Sequence, residues 1–288
     1  MGNVVEKASG AGQVVRKLGC GSRKVAVIVG ASSGIGEAIA KVFVARGYLV
    51  YNLSRRASVI CGVENIEVDV ANAESVRVAF SEISGAVPWI DYLIYSAGFS
   101  MASGLETLDE ADYKYLFEVN YFGAIKVFKT FLPLLKTGSG GARVVFISSA
   151  GALIPIPFDG YYSASKASIN MLAKALHVEF KQRGLKFISI MPGGVNTGFT
   201  KKRKVNKKTT QQPNAKGFEN AVKTLADQEQ NGMDTDLCAK KIIKVIGKRN
   251  PPLTSVIGLS NKLQAFALNF IPKKLQLKII ANKFGVDK

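Results

Sequence analysis

The sequence predicts an α/β protein, folded as a single domain around a doubly wound parallel sheet. Short and almost continuously apolar runs alternate with longer stretches of helical length, which is the pattern of strands and crossover helices. Strands that are covered by helices on both faces are expected to be apolar throughout, as these runs are. Polar and glycine-rich motifs directly follow several of the runs, where open parallel sheets bind their ligands.

Six apolar runs are predicted to be buried strands, and three longer stretches are predicted to be helices. The predicted strands are residues 25–29, 48–53, 66–70, 92–95, 144–147 and 187–191. The predicted helices are residues 36–46, 112–135 and 161–183. We place the domain at residues 23–260, with a flexible N-terminal extension at 1–22 and an amphipathic C-terminal segment at 261–288.

The composition excludes several classes of protein. A hydrophobic content of 47% over 288 residues is enough for a large core, but no apolar run reaches the roughly 18 residues that a membrane-spanning helix needs. The cysteines, Cys20, Cys61 and Cys238, are far apart and match neither a disulfide framework nor a zinc site. The N-terminus lacks the apolar block of a secretory signal. We therefore expect an intracellular, cytoplasmic protein without a metal site.

The formal net charge of +18 favours anionic partners, such as a phosphorylated cofactor, an acidic lipid surface or nucleic acid. Charge alone does not choose among them. Residues 201–208 contain six cations, and this string is similar to a nuclear-import signal. Because such strings occur often by chance, we favour a solvated or anion-facing loop.

A glycine-rich turn connects the first predicted strand to the first predicted helix. Its glycine spacing lets the backbone approach a ligand closely, and the N-terminus of the helix offers unpaired N–H groups to an anion. A purely structural tight turn has a similar composition, but the position directly after the first strand favours binding of a nucleotide pyrophosphate. The predicted contacts are Gly30, Ser32, Ser33, Gly34, Ile35 and Gly36.

The end of the second predicted strand indicates which nicotinamide cofactor would bind. A site that prefers NADH places an acidic residue there, against the ribose 2′-hydroxyl. This chain has Ser54, Arg55 and Arg56 instead, and a guanidinium group can bind a 2′-phosphate with two hydrogen bonds. We therefore predict NADPH, with Arg55 and Ser33 as its leading contacts, although the two arginines could simply face solvent.

Tyr162 and Lys166 are the strongest candidates for chemistry. Residues at i and i+4 share one helix face, so the Lys166 ammonium group would lie beside the Tyr162 phenol. Using a phenol as an acid or base at neutral pH means lowering its pKa by about 3 units, or roughly 4 kcal/mol, and a nearby cation can supply much of that. The hydroxyl of Ser149 could hold a carbonyl oxygen against the phenol. Tyr161 is the alternative acid, but its position points it off the shared face.

Further motifs accompany these residues, in a fixed order. The chain carries Gly30-x-x-x-Gly34-x-Gly36, Asp69-Val70, Ser96-Ala97-Gly98, Asn120, Ser149, Tyr162-x-x-x-Lys166 and Pro192-Gly193-x-Val195-x-Thr197. Their order and spacing, over residues 24–197, resemble the short-chain dehydrogenase/reductase family. One position departs from the family pattern, because Ser96 stands where an asparagine is usual, and strand bracing or cofactor packing should differ there.

The resemblance implies a Rossmann fold, a nicotinamide cofactor and a role for each matching residue. Tyr162 would be the proton donor, and Lys166 would lower the pKa of Tyr162 and hold the nicotinamide ribose. Ser149 would orient the substrate carbonyl, and Asn120 would complete a proton relay through a water near Lys166. Asp69 and Val70 would contact the adenine, whereas the contacts at the nicotinamide end would be Pro192, Gly193, Val195 and Thr197. Ser96, Ala97 and Gly98 would border the cofactor.

Two segments after these motifs bear on the substrate. Residues 196–232 are polar, basic and poorly periodic, and the resemblance makes them the substrate lid. The C-terminal segment carries two sets of apolar positions separated by Pro272, and six lysines. Such a segment packs on its own domain or on a sister subunit, or lies as a helix on an anionic membrane. His177, the single histidine, is about 22 Å along the helix from Tyr162 and is expected to be structural.

Together these observations predict an NADPH-dependent reductase of a ketone or aldehyde, with Tyr162 as proton donor. The apolar C-terminal segment suggests that this small-molecule carbonyl substrate is lipophilic. The alternatives are NADP-dependent oxidation of a secondary alcohol, and a non-catalytic protein that senses the cofactor or associates with nucleic acid. The complete set of Asn120, Ser149, Tyr162 and Lys166 disfavours a binding-only protein, so no nucleic acid is expected. We further expect a homo-oligomer, either a dimer or a tetramer, and peripheral membrane contact as an option.

Overall fold

The computed structural model describes residues 23–268 and 270–286. The predicted N-terminal extension at 1–22, with Cys20, lies outside the described residues. The strands are β1 Val25–Val29, β2 Leu49–Ser54, β3 Val63–Glu67, β4 Tyr92–Tyr95, β5 Met101–Ala102, β6 Arg143–Ile147, β7 Lys186–Pro192, β8 Val195–Asn196, β9 Lys204–Val205, β10 Met233–Asp234 and β11 Thr254–Ile257. The helices are α1 Gly34–Ala45, α2 Ala73–Ala86, α3 Glu110–Phe117, α4 Gly123–Phe131, α5 Gly160–Glu179, α6 Phe199–Lys202, α7 Ala215–Gln230, α8 Thr235–Ile246, α9 Leu259–Ala267 and α10 Lys273–Phe284.

In this described part of the chain, seven parallel strands form the central sheet, in the order β11-β7-β6-β4-β1-β2-β3. The direction of winding reverses between β1 and β4, so the loops after these two strands diverge and leave a crevice at the carboxyl edge. The predicted fold class, a doubly wound parallel sheet in a single domain, is confirmed. Short strand pairs, β8 with β10 and β5 with β9, lie outside the central sheet.

Both faces of the sheet are buried, as β1 shows: it is apolar at every position, and all five of its residues are buried. Val25, Val27 and Val29 point into a cluster formed with α2, α4 and α5. Ala26 and Ile28 point into a second cluster, formed with α1 and α8. Burying one such side chain stabilises the fold by about 1.5–3 kcal/mol, so the two clusters hold the strands and their loops in fixed positions.

Two predicted elements differ from the observed ones. The strand predicted at 66–70 ends at Glu67, so Asp69 and Val70 lie in the loop beyond it, at the edge where ligands bind. The helix predicted at 112–135 is interrupted by a π-helical turn, Glu118–Phe122, between α3 and α4. Such turns occur mostly as interruptions of α-helices and are frequent at functional sites. Hydrophobic periodicity does not reveal this one, because the apolar face continues on both sides.

The lid segment is more regular than its composition suggested. Residues 196–232 contain α6, β9 and α7, and α7 buries Phe218, Ala221 and Leu225 on one face. The expectation of poor periodicity is therefore wrong for residues 215–230. The spacing of three and four residues places these side chains on the inner face of a helix whose other faces are polar.

The C-terminal segment packs partly on the domain. Ile280 and Phe284 of α10 are buried against Ala221 and Leu225 of α7. The side chain of Gln276 donates to the carbonyl oxygens of Leu268, at 2.7 Å, and of Ile271, which ties α10 to the end of α9. None of the helices in the described residues is long and apolar enough to span a membrane.

Candidate active site

The carboxyl edge of the sheet borders a cavity of about 1330 Å³, lined by the loops after the strands, by the lid and by the C-terminal helices. All of the predicted site residues except Gly36 and Asn120 line this cavity. Gly36 and Asn120 lie directly behind residues that do. The structure therefore brings together, in one place, motifs that are spread over more than 160 residues of the chain.

The glycine turn after β1 packs tightly against the loop after β4. Gly30 has a φ of +89°, and a Cβ atom there would lie 2.9 Å from the backbone nitrogen of Ala97, in the loop after β4. A Cβ on Gly36 would lie 2.3 Å from the carbonyl oxygen of Gly30. Because only glycine fits at both positions, the turn can bring the N-terminus of α1 against the cavity, where its unpaired N–H groups can bind an anion.

Asn52 holds this turn in place, and sequence reasoning missed it. Its side chain is fully buried in β2. Its Oδ1 atom accepts hydrogen bonds from the backbone nitrogen of Ala31 at 2.9 Å and from the hydroxyl of Ser54 at 2.8 Å, and its Nδ2 atom donates to the carbonyl oxygen of Arg56 at 3.1 Å. The amide thus joins the phosphate turn to the predicted cofactor-specificity loop. A lone amide inside an otherwise apolar run was the available indication.

Three cations surround the turn. Arg55 donates to the hydroxyl of Tyr115 at 3.3 Å, and Arg56 follows it at the rim of the cavity. Lys202, from the predicted basic loop, donates from Nζ to the hydroxyl of Ser33 at 2.9 Å. Burial and the nearby Arg56 lower the pKa of Lys202, and Glu37 acts in the opposite direction but is outweighed.

The basic string at 201–208 is therefore divided among several partners. Lys202 faces the phosphate turn, and Arg203 is buried. Lys204 pairs with Asp112 at 3.5 Å, and Lys208 pairs with Asp109 at 3.6 Å, so both fasten the segment to the start of α3. A string of cations in sequence is thus not one basic surface in space.

Tyr162, Lys166 and Ser149 meet at the floor of the cavity. Tyr162 and Lys166 lie one turn apart on α5, with Lys166 Nζ 5.8 Å from the centre of the Tyr162 ring. Lys166 also donates to the carbonyl oxygen of Ile147, at the end of β6, at 3.0 Å. Ser149 follows β6, and its hydroxyl lies close enough to the Tyr162 phenol to act on the pKa of Tyr162. Helix α5 and the end of strand β6 therefore position the three groups together.

Asn120 lies behind this group, in the π-helical turn. Its Oδ1 accepts from the backbone nitrogen of Phe99 at 3.0 Å, and its Nδ2 donates to the carbonyl oxygen of Phe99 and to the hydroxyl of Ser165, both at 3.0 Å. A Cβ on Gly98 would lie 3.0 Å from Asn120 Oδ1 and 3.1 Å from Lys166 Nζ. The amide thus fixes the loop that separates it from the cavity.

Ser96, the departure from the family pattern, keeps its position through the backbone. Its nitrogen donates to the carbonyl oxygen of Val29 at 2.9 Å, which continues the pairing of β1 with β4. A Cβ on Gly36 would lie 3.2 Å from the Ser96 hydroxyl oxygen, so the side chain packs behind the phosphate turn. Thr197, from the nicotinamide motif, meets the same turn at Gly34.

Tyr161, the alternative proton donor, and His177, the single histidine, lie outside this group. The ring of Tyr161 stacks on that of Tyr113, with centroids 5.0 Å apart and planes 14° from parallel. Neither Tyr161 nor His177 is among the residues that line the cavity.

A group of polar residues beside Tyr162 was not identified from the sequence. Asp159, Ser100 and Arg203 are buried, and each comes from a different part of the chain. Glu229, from α7, forms an ion pair with Arg203. Because no motif relates these four positions, only the folded chain brings them together.

With the geometry established, comparison with known proteins shows the family. The family model described as short chain dehydrogenase matches residues 24–208, well over half of the chain. The chain is a short-chain dehydrogenase. It belongs to the family of NAD(P)-dependent oxidoreductases that the sequence motifs resemble.

Two relatives cover nearly the whole short-chain dehydrogenase chain. One is the 3-ketodihydrosphingosine reductase of Bacteroides thetaiotaomicron, 32% identical over 255 residues, covering 88% of this chain and 94% of the relative. Another is the NADPH-dependent 1-acyldihydroxyacetone phosphate reductase of Saccharomyces cerevisiae, 29% identical, covering 92% and 93%. Among solved structures, a short-chain dehydrogenase from Streptomyces avermitilis superposes with a TM-score of 0.74 at 24% identity, covering 92% of this chain and 97% of that one. This last likeness bears on the fold.

The cavity of this short-chain dehydrogenase fits a nicotinamide dinucleotide. The glycine turn leaves space for close backbone approach, the N-terminus of α1 faces the cavity, and three cations surround the turn. The N–H groups of residues 33–35 would hold the diphosphate, and Lys166 would hold the ribose next to the nicotinamide. The cofactor, when bound, supplies or accepts a hydride, while the protein provides position and a proton.

Burial shifts the pKa values of Tyr162 and Lys166 in opposite directions. It raises the pKa of Tyr162 above its ordinary value, whereas the hydrogen bond with Ser149 acts in the opposite direction and is outweighed. Burial also lowers the pKa of Lys166 to about 8. The sequence predicted that the Lys166 ammonium would lower the pKa of Tyr162, but the burial of the Tyr162 phenol itself has the largest effect and raises its pKa. The phenol therefore holds its proton in this structure.

Proposed function

We propose that this short-chain dehydrogenase uses NADPH to reduce a lipophilic ketone or aldehyde. The observation that carries the proposal is the meeting of Ser149, Tyr162 and Lys166 at the floor of one cavity with the glycine turn. Ser149 would hold the carbonyl oxygen, and Tyr162 would donate its proton to that oxygen as the hydride reaches the carbon. Lys166 and Asn120 would position these groups.

The protonation of Tyr162 favours reduction over oxidation. A reductase needs a proton donor, and burial keeps the phenol of Tyr162 protonated. Oxidation of an alcohol would need the phenolate as a base, and the two nearby carboxylates, Asp159 and Glu229, further disfavour a negative charge there. We therefore propose reduction as the direction, with oxidation of a secondary alcohol as the alternative that the assay below compares.

Charge supports NADPH over NADH. Lys202 donates to Ser33 and lies close to Arg56, and Arg55 also lines the cavity, so three cations border the side where a 2′-phosphate would lie. Guanidinium groups bind phosphate with charge-assisted hydrogen bonds, whereas a carboxylate at this position would repel it. The yeast relative is itself named as NADPH-dependent.

Apolar walls support a lipophilic substrate. Beyond Tyr162 the cavity is bordered by Ile154, Ile156, Phe199, Leu259 and Phe284. Such walls favour an alkyl chain, because they exclude water from it. The two relatives are named as reductases of 3-ketodihydrosphingosine and of 1-acyldihydroxyacetone phosphate.

The test is a panel of carbonyl compounds, followed through the absorbance of NADPH. We expect turnover of long-chain ketones and little turnover of short-chain ketones of the same head group. Binding of NADPH without turnover of any carbonyl would instead support the cofactor-sensing alternative. Faster oxidation of the corresponding alcohols, at equal cofactor concentration and neutral pH, would support the oxidative one.

We propose that α9 and α10 also contact an anionic lipid surface. The exposed apolar side chains Leu259, Leu263, Phe266 and Phe270, which we name the tail face, are 62–73% exposed. Residues 259–286 carry five lysines and no aspartate or glutamate, so the charge around the tail face complements an acidic membrane. Leu259 also lines the cavity, so this surface adjoins the proposed substrate entrance.

Vesicle sedimentation tests this contact. We expect the protein to pellet with vesicles that contain phosphatidylserine, less so at high salt, and to bind about 10-fold more weakly when Leu263 and Phe266 are both replaced by glutamine. The matched control replaces Met171 and Val178 on α5, which are equally exposed. Equal pelleting of both double variants would refute the proposal. The predicted homo-oligomer and the cytoplasmic location stay predictions.

A further inference from the structure

Four polar side chains form a connected group beside Tyr162, which we name the polar cluster: Ser100, Asp159, Arg203 and Glu229. The hydroxyl of Ser100 donates to Asp159 Oδ2 at 2.5 Å and accepts from Arg203 Nε at 3.0 Å. Arg203 then forms its ion pair with Glu229 on the lid helix. The chain of contacts runs from the start of α5 to the lid.

Two atoms of the polar cluster lack a hydrogen-bond partner among the described residues, although both are buried. They are Asp159 Oδ1, an acceptor, and Arg203 Nη1, a donor. The backbone N–H of Met101 also faces the Asp159 carboxyl group and lowers its pKa. Asp159 is 2% exposed and Arg203 is 8% exposed, and both residues line the cavity that holds Tyr162. Buried polar atoms are nearly always paired in native proteins, because an unpaired one destabilises the fold. A ligand that brings both a donor and an acceptor would complete them.

The charge of the polar cluster indicates the kind of ligand. Two carboxylates face one guanidinium, so the cluster carries a net negative charge when Asp159 is ionised. Both Asp159 and Glu229 raise the pKa of Tyr162, which places them within electrostatic reach of the reacting oxygen. A cationic or donor group attached close to the substrate carbonyl would therefore be attracted, and an anionic group in that place would be repelled.

We propose that Asp159 and Arg203 form a head-group subsite, which takes a protonated amino group on the carbon next to the reacting ketone and a nearby hydroxyl oxygen. Asp159 accepts from the ammonium group, and Arg203 donates to the hydroxyl. This inference rests on the proposed reduction of a lipophilic ketone, and it narrows the substrate class to amino ketones. Ser100 and Glu229 act as positioning residues, because they hold the two binding groups.

A pair of ketones of equal chain length tests the subsite. One carries a protonated amine next to the carbonyl, and the other carries hydrogen there. We expect the wild-type enzyme to prefer the amino ketone by about 10-fold or more in kcat/KM, since one buried charge-assisted pair is gained. In Asp159→Asn we expect the preference to be lost through a higher KM for the amino ketone, on top of any change in kcat that the two ketones share because Asp159 also acts on the pKa of Tyr162.

The ratio of the kcat/KM values for the two ketones separates a loss of recognition from a loss of folding, because a partly unfolded protein would reduce both ketones more slowly. The control is Asp91→Asn, which neutralises a buried carboxylate at the far end of β4, where it accepts from the nitrogen of Val25 at 2.9 Å. We expect this variant to keep the preference. Equal use of the two ketones by the wild type, or stronger binding of a phosphate-bearing ketone, would overturn the subsite while leaving the reductase activity established.

Binding and pH provide readouts that do not need turnover. A long-chain 2-amino alcohol, titrated into the NADP-loaded enzyme by calorimetry, should bind about 10-fold more weakly to Asp159→Asn than to the wild type. Burial raises the pKa of Asp159 to about 7, and the charged groups facing it are Arg203 and Glu229. The affinity should therefore rise as the pH increases through that range, as Asp159 ionises. A pH-independent affinity, equal in both proteins, would contradict the inference even if no ketone were turned over.

Discussion

Replacing Tyr162 with phenylalanine is expected to lower kcat by about 10²–10⁴-fold, the usual contribution of a positioned general acid. The substitution removes one hydroxyl and keeps the ring, which packs 6.0 Å from the ring of Phe199 between centroids. The variant should therefore fold and bind NADPH normally. Steady-state kinetics with the best ketone of the panel, together with cofactor titration and a melting curve, measure the three quantities separately.

Tyr161→Phe is the matched control, since Tyr161 is the neighbouring residue on α5. Its ring stacks on Tyr113, and it is not among the residues that line the cavity. We expect kcat within about twofold of the wild type, because no proton transfer involves this hydroxyl. Loss of activity in Tyr161→Phe with activity retained in Tyr162→Phe would overturn the assignment of the proton donor.

The second large effect concerns the cofactor. Replacing Arg55 and Arg56 together with alanine is expected to lower kcat/KM for NADPH by about 100-fold or more, because each charge-assisted contact contributes roughly 1.5–3 kcal/mol. The value for NADH should change little, since NADH carries no 2′-phosphate. The ratio of the two values is the measurement, because it cancels any general loss of activity.

Two further variants sharpen this test. Arg46→Ala removes one positive charge from the exposed end of α1, outside the cavity, and should leave the ratio unchanged. Lys202→Met removes the cation that the lid contributes at Ser33, and should weaken NADPH binding less than the double variant does. An unchanged ratio in the Arg55 and Arg56 double variant would mean that the two arginines face solvent, as the alternative interpretation of the sequence had it.

Local sequence was sufficient for much of the fold. β1 and β4 have the bounds that their apolar runs predicted, because a strand buried on both faces needs an apolar residue at every position. The interruption at Glu118–Phe122 was missed, since the side chains before and after it continue one apolar face. The lid helix α7 was missed because its polar faces outweigh its buried stripe in composition.

The candidate site was also predicted only in part from the sequence. Tyr162 and Lys166 were predicted to meet because residues four apart share one helix face, and the role of Ser149 rested on the family resemblance. Asp159 was missed because its partner is distant in sequence: Ser100, which donates to it, is 59 residues away. Asn52 was missed because its contact with the glycine turn, at Ala31, is made across 21 residues.

The amino-acid sequence by itself determined the family, the fold class and the residues that meet at the floor of the cavity. Periodicity and short-range spacing act through the local geometry of strands and helices, which a linear pattern records. The tertiary structure alone decided the direction in which the pKa of Tyr162 is shifted, the division of the basic string and the assembly of the polar cluster. These properties depend on desolvation and on charges from separate elements, and both arise only once the chain has excluded water and brought the elements together.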